Sequence, residues 1–278
     1  MAGGKKKRAP VQLPAAPLTE VVFELRWDLR PAPPPLGQFD PMLLPTIHRF
    51  TAAMEKSGFP HRIDLIHPIQ TAPYGVVCRY YRDSESPYPL MQIGAGIFAT
   101  NESSKYEWIS YRAQVLDGVR ALLSSYPTDL GAQLKPTHIE LRYTDVFTKD
   151  ITQDNSYFDF AKNSTFVTFS LPDFLKDRQL FWGDPVGRFF YEHALRERKD
   201  SFFAFDLASG KNGQSKEDIV QLVSRVASTG RGVPSVKTPG TFVKEVQKWL
   251  DLAHGILSPF FRNFVKPEVM EKFERRGS

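Results

Sequence analysis

Six histidines and one cysteine are the residues of this chain best suited to nucleophilic, acid–base or metal chemistry, and their spacing decides how much of it they can do. The histidines are His48, His61, His67, His138, His193 and His254. A zinc-protease helix carries two histidines four residues apart around a glutamate, and a structural zinc site carries paired Cys and His ligands; neither spacing occurs here. His61 and His67 flank one predicted strand, and Pro68 follows the second. His254 falls in a predicted helix three residues after Asp251, where it reads as a core or interface histidine held by a hydrogen bond. Glu192-His193 has no nucleophile near it in sequence, and the chain has no Gly-x-Ser-x-Gly elbow. Cys78 sits in the apolar run "GVVCRYY" and reads as a small buried thiol. These residues define no metal site, call for no cofactor and assemble no catalytic constellation.

Two glycine-rich stretches are the candidates for phosphate binding. In "MQIGAGIFATN", Gly94 and Gly96 lie inside an apolar run. A P-loop ends its glycine span in Gly-Lys-Ser/Thr before a helix, and a dinucleotide fingerprint needs a third glycine and then a helix. Neither follows here. The spacing predicts a central strand with a bulge or a close backbone approach, and Asn101 opening the next turn. In "LASGKNGQSKED", Gly-Lys comes first rather than last. That stretch predicts a loop, then a helix capped by Ser215 with Glu217 and Asp218 in its first turn, where they would repel an anion.

Partner contact is the remaining chemistry. "RYYRD" places Arg79, Tyr81 and Arg82 in a row of residue types common at binding hot spots. In a strand, Arg79 and Tyr81 share one face while Tyr80 and Arg82 take the other. Lys5, Lys6, Lys7 and Arg8 form a basic tail suited to nucleic acid or an acidic partner. The chain carries a net charge of +5, and the tail supplies four of its 36 basic residues; the rest nearly balances the 31 acidic ones. The high pI therefore belongs mostly to the tail, and composition offers no support for a basic stripe across the folded body.

These residues must be positioned by a core, and 278 residues with 41% hydrophobic content suffice for a large one. Residues 1–17 read as a basic, Pro-rich arm. "LTEVVFELRWDL" alternates Val21, Phe23, Leu25 and Trp27 with Val22, Glu24, Arg26 and Asp28, the period of a half-buried strand. A helix follows with Leu43, Ile47, Phe50 and Met54 on one face, ending near Gly58. "HRIDLIHPI", "YGVVCRYYR" and "PLMQIGAGIFATN" are three further strands. A helix from Trp108 to Leu123 closes this half. The pattern then restarts: "ELRW" at Glu24–Trp27 is answered by "ELRY" at Glu140–Tyr143. Strands at "STFVTFSL" and "SFFAFDLASG", with a helix between them around "GRFFYEHALRER", lead to a last helix carrying Val246, Trp249, Leu250, Ala253, Ile256, Leu257, Phe260, Phe261 and Phe264 on one face. The fold class is α+β. Two topologically related lobes, residues 18–135 and 136–278, are each expected to be a mainly antiparallel sheet covered by helices, able to pair across a pseudo-two-fold axis.

The segments "APLTEVVFELRW", "PLMQIGAGIFATN", "IELRYTDVF" and "WLDLAHGILSPFF" together resemble a sporadically distributed prokaryotic family of uncharacterised proteins of roughly this length. The likeness covers nearly the whole chain in order, and departs at Thr144, where asparagine is commoner. It implies a bacterial, cytoplasmic protein with patchy inheritance, a distribution that suits anti-phage defence, toxin neutralisation or mobile-element biology, and supplies no catalytic residues. One cysteine and the lack of an apolar segment behind the N-terminal charges also fit a reducing, cytoplasmic setting. The leading expectation is a non-enzymatic accessory or regulatory subunit that binds another protein, with no membrane part. A nucleic-acid-binding component using the tail, and an enzyme whose acid and base residues are scattered, are the alternatives.

Overall fold

The computed structural model describes residues 17–31, 37–66, 72–103, 106–130, 133–154, 156–167, 187–213 and 217–275. Its organising element is β1 (Leu18–Trp27), where Val21, Phe23, Leu25 and Trp27 are all fully buried on one face. β8 (Pro136–Thr148) repeats the alternation with Ile139, Leu141, Tyr143 and Phe147. The two strands pair antiparallel, Phe23 opposite Leu141 and Leu25 opposite Ile139, so both apolar rows fall on one side.

From this central pair one continuous sheet of nine strands extends both ways. On the β1 side lie β7 (Ile97–Glu102), β6 (Leu90–Gly94), β5 (Val76–Tyr81) and β4 (His61–Asp64). On the β8 side lie β11 (Asp218–Thr229), β10 (Ser201–Lys211) and β9 (Arg188–Ala194). Every pairing is antiparallel. A separate two-stranded ribbon, β2 (Arg30–Pro31) with β3 (Gln38–Phe39), follows β1.

Helices cover the apolar side. α1 (Leu43–Lys56), α2 (Trp108–Ser125) and α5 (Pro239–Phe264) place Phe50, Val119 and Trp249 in one core with Phe23 and Leu141. Beyond the short α3 (Lys149–Thr152), α4 (Tyr157–Ser164) and α6 (Pro267–Arg275) build a second cluster with Phe147, Leu207, Leu222 and Phe264. Local chemistry sets the helix starts. The Glu107 carboxylate accepts from the amides of Ile109 and Ser110, and Thr238 and Thr241 form a reciprocal capping box spanning Pro239, the first residue of α5. Among the described residues no helix is long and apolar enough to cross a membrane.

The α+β class and the antiparallel sheet match the sequence reading; five local expectations do not. "PLMQIGAGIFATN" is a hairpin of β6 and β7 turning at Ala95-Gly96, with Gly96 at φ +73°, rather than one bulged strand. Gly94 does mark a close approach: a Cβ there would stand 1.8 Å from the Gly75 carbonyl oxygen. Asn101 lies buried in β7 instead of opening a turn. "RFFYEHA" is strand β9, not a helix, and the segment after Ser215 continues as strand β11. Of the expected strand "STFVTFSL", Ser164 ends α4 and Thr165 makes one bridge to Val265, while residues 168–186 lie outside the described residues.

Candidate functional site

On the sheet face turned away from the helices, Glu24 of β1 and Glu140 of β8 sit directly opposite each other. Both are almost fully buried. Two opposed carboxylates require cations, and three arginines on the same face supply them. Arg26 Nε bonds Glu24, and Arg142 Nη1 lies 2.8 Å from Glu140 Oε1. Arg225 of β11 stands directly across from Arg142 and reaches to 3.9 Å from Glu140 Oε2. Burial pushes the Glu140 carboxyl above its ordinary range, opposed by the Arg142 charge. Burial and the Arg26 charge push His138, 3.8 Å from Glu140, below its own. Arg225 also lies over the Phe202 ring at 5.7 Å.

A hydrogen-bond chain continues along this face toward β4. Arg79 Nε donates to Gln92 Oε1 (3.0 Å), Gln92 Nε2 to Asn101 Oδ1 (2.7 Å), and Asn101 Nδ2 to Glu20 Oε1 (2.8 Å). The Tyr88 hydroxyl also donates to Glu20. The chain ends at the sheet edge, where Ile63 of β4 stands opposite Arg79, and His61 opposite Tyr81. β4 is exposed along its whole length. Ile63 is 50% exposed, and the next residues, Leu65 and Ile66, are 41% and 46% exposed. Apolar side chains this open on an edge strand, bordered by an arginine and a tyrosine, are fit for contact rather than catalysis.

Of the residues expected to meet a partner, Arg79 and Tyr81 therefore share the face beside this edge. Arg82 turns to the other side and lies over Phe59 at 4.9 Å. Tyr80 is core, its hydroxyl 2.9 Å from Thr51 Oγ1. Lys5, Lys6, Lys7 and Arg8 lie outside the described residues. Cys78 is the buried thiol expected, 3.1 Å from Asp64 Oδ1, and burial pushes it up to about 11.

The helix-covered face holds a second polar group. His254 Nδ1 lies 2.7 Å from the Tyr143 hydroxyl, which lies 2.6 Å from the Tyr106 hydroxyl. Trp108 stacks on the His254 ring with centroids 4.0 Å apart. Burial holds His254 down to about 4, so it is neutral and hydrogen-bonded, as its helix position implied. Asp145, two residues beyond Tyr143, is fully buried beside Leu222, and burial alone pushes it up to about 8. A cleft of about 290 Å³ lies at the far end of β1, lined by Asp28, Arg30, Asp40, Tyr126 and Lys135. Its Asp40 carboxylate accepts from Trp27 Nε1 at 2.8 Å and the Met42 amide at 2.9 Å, a bonding pattern that anchors the turn before α1.

No family model, curated protein or solved structure matches the chain. Among the described residues no group of three or more His, Cys, Asp or Glu side chains could hold a metal. The sequence marks the two ELR segments but not Arg225, Asp145 or the partnership of Glu24 with Glu140. The repeat itself was the available signal, since pairing the two segments antiparallel about their glutamates brings those carboxylates together.

Proposed function

We propose that the protein is a non-enzymatic, protein-binding accessory or regulatory subunit that engages its partner along the β4 edge. The observation carrying this reading is the exposed apolar strip of Ile63, Leu65 and Ile66 beside Arg79 and Tyr81, on a strand whose outer side pairs with no other strand among the described residues. A partner strand added there gains backbone hydrogen bonds from the edge and specificity from the alternating side chains. The resemblance of its segments to a sporadically distributed prokaryotic family is what supports a bacterial, cytoplasmic defence or toxin-linked setting for this subunit. It also fits a duplicated origin for two related lobes: β1 and β8 each open one half of the chain, and the last strand of each half, β7 or β11, returns beside its own opening strand.

A second reading, a nucleic-acid-binding component, draws support from Arg26, Arg142 and Arg225 on one sheet face with Phe202 under Arg225. On that reading the basic tail adds phosphate contacts and affinity falls steeply with salt. The test is capture of tagged protein from its native host at physiological salt, with protein and nucleic acid both analysed. A stoichiometric protein retained by the wild type and lost with Ile63→Glu and Leu65→Glu supports the accessory-subunit reading. Retention by those variants overturns the β4 site, and nuclease-sensitive nucleic acid without such a partner promotes the second reading. Capture of neither leaves an enzyme with scattered acid and base residues as the reading to pursue.

A further inference from the structure

The opposite end of the sheet presents a different pattern. Among the described residues β9 is its last strand, and every residue from Arg188 to Ala194 except the half-buried Phe189 is exposed, with Phe190 at 52% and Tyr191 at 41%. Its inner side is taken by β10: the Leu195 amide donates to the Ser201 carbonyl, and the Ser209 amide donates to that of Gly187. Because inward and outward backbone groups alternate in an antiparallel ladder, the outward amides and carbonyls belong to Arg188, Phe190, Glu192 and Ala194. The side chains of these four residues share the face turned away from the helices, while Phe189 and Tyr191 point to the helix side and pack on Phe205 at 5.6 and 5.5 Å.

Arg188-Phe189-Phe190-Tyr191-Glu192 is complementary to its own reverse: cation at one end and anion at the other, aromatics within. We propose that two copies of the chain join along β9, antiparallel, about a two-fold axis through Phe190. In that register Arg188 of each copy faces Glu192 of the partner copy, Phe189 faces Tyr191, and Phe190 meets itself. The paired residues Arg188 and Glu192, and Phe190 with its own copy, are those whose backbone groups point outward, so the ladder closes without moving either strand. A shift of the axis by one residue, to Tyr191, keeps the backbone bonds but sets Arg188 opposite Ala194 and Glu192 opposite Phe190. Charge complementarity therefore selects the first register. Arg188 is bonded to Asp206 within its own chain, yet its side chain stays 71% exposed and its remaining donors are available to a second carboxylate. The dimer would join two nine-stranded sheets into one and leave β4 at each outer end, so this inference stands apart from the reading of β4 above.

Sedimentation equilibrium of the full chain tests it. The wild type is expected at twice the mass of one chain at micromolar concentration, and a monomer throughout that range overturns the proposal. Arg188→Glu and Glu192→Lys each set like charges opposite one another at both ends of the axis. Each should weaken self-association about ten-fold or more. An equimolar mixture of the two variants restores both opposite-charge pairs and should recover the dimer, an outcome that general damage to β9 would not give. Self-association unchanged in the single variants, or not recovered in the mixture, rejects the register. Phe190→Pro removes an outward amide that its own sheet does not use, so it should abolish the dimer while leaving the far-ultraviolet circular dichroism intact. A dimer that survives this substitution also rejects the proposal.

Discussion

Glu24 and Glu140 face each other across the central strand pair, and each is held by an arginine two residues further along its own strand. Two carboxylates in that position would repel if left alone. Three guanidinium groups, each about one-third exposed, lie over them and shield them from water. The arrangement satisfies the acids without placing them in a dry interior, which limits both its desolvation cost and its Coulombic strength.

Glu140 is the member whose loss should be felt most, because Arg142 and Arg225 stand directly opposite each other and share it. Glu140→Ala leaves two like charges facing across the β8–β11 pair and should cost roughly 1–2 kcal/mol. Urea unfolding measures this. Adding Arg142→Leu should return part of the loss, since it removes the repulsion that the first change exposed. A double variant less stable than the single by the full cost of a lost ion pair would contradict this account.

Glycine substitutions separate the crowded position from the open one. Gly94→Ala would drive a methyl group into the Gly75 carbonyl at 1.8 Å, where backbone on both sides resists movement. It should destabilise by several kcal/mol, or about 3 and more on the scale of severe core changes, and thermal unfolding would register it. Gly255, within α5, has nothing within 4 Å of its Cβ position. Gly255→Ala should therefore stabilise by about 0.5–1 kcal/mol through helix propensity alone.

The parts of the fold that were legible in sequence are those where an apolar row repeats unbroken at the period of its element. β1, α1, α2 and α5 each set a continuous apolar row against the core, and their periods read correctly. β9 did not read as a strand because it is exposed on both faces, so no alternation marks it, and Glu, His and Ala suit a helix equally well. The hairpin of β6 and β7 was hidden because both faces of these strands are buried, which removes the polar half of the pattern. The partnership of Arg225 with Glu140 depends on which strands become neighbours, and strand order is a property of the whole chain. For the same reason Arg79 and Tyr81 could be assigned a shared face, but not their place beside an exposed edge.

Tyr143 bridges two elements through one hydroxyl, to Tyr106 ahead of α2 and to His254 in α5. Tyr143→Phe leaves the Tyr106 hydroxyl and the His254 ring nitrogen without this bond while keeping the ring in place. The expected cost is about 1–3 kcal/mol, the penalty for polar groups left unsatisfied in a largely buried site. Chemical denaturation at neutral pH measures it, and a loss near zero would mean that water replaces the hydroxyl there.

Asp145 and His254 give stability opposite dependences on pH. Burial raises Asp145 to about 8 from an ordinary 3.8, so between about 4 and 8 the folded chain holds a proton that the unfolded chain releases. Stability is then fully present at the acid end of that window and falls as pH rises through it. His254, lowered to about 4 from 6.5, stays neutral in the folded chain while the unfolded chain takes up a proton, so its contribution is lost as pH falls from 6.5 toward 4. Below 6.5 the two slopes oppose each other. Between 6.5 and 8 Asp145 acts without that opposition, and stability should fall by up to about 1.4 kcal/mol per pH unit. Asp145→Asn removes the ionisation and should flatten this fall, so the variant gains on the wild type steadily as pH rises through the window. Urea midpoints measured at several pH values across the window decide the matter, and a slope unchanged by Asp145→Asn would assign the proton to another group.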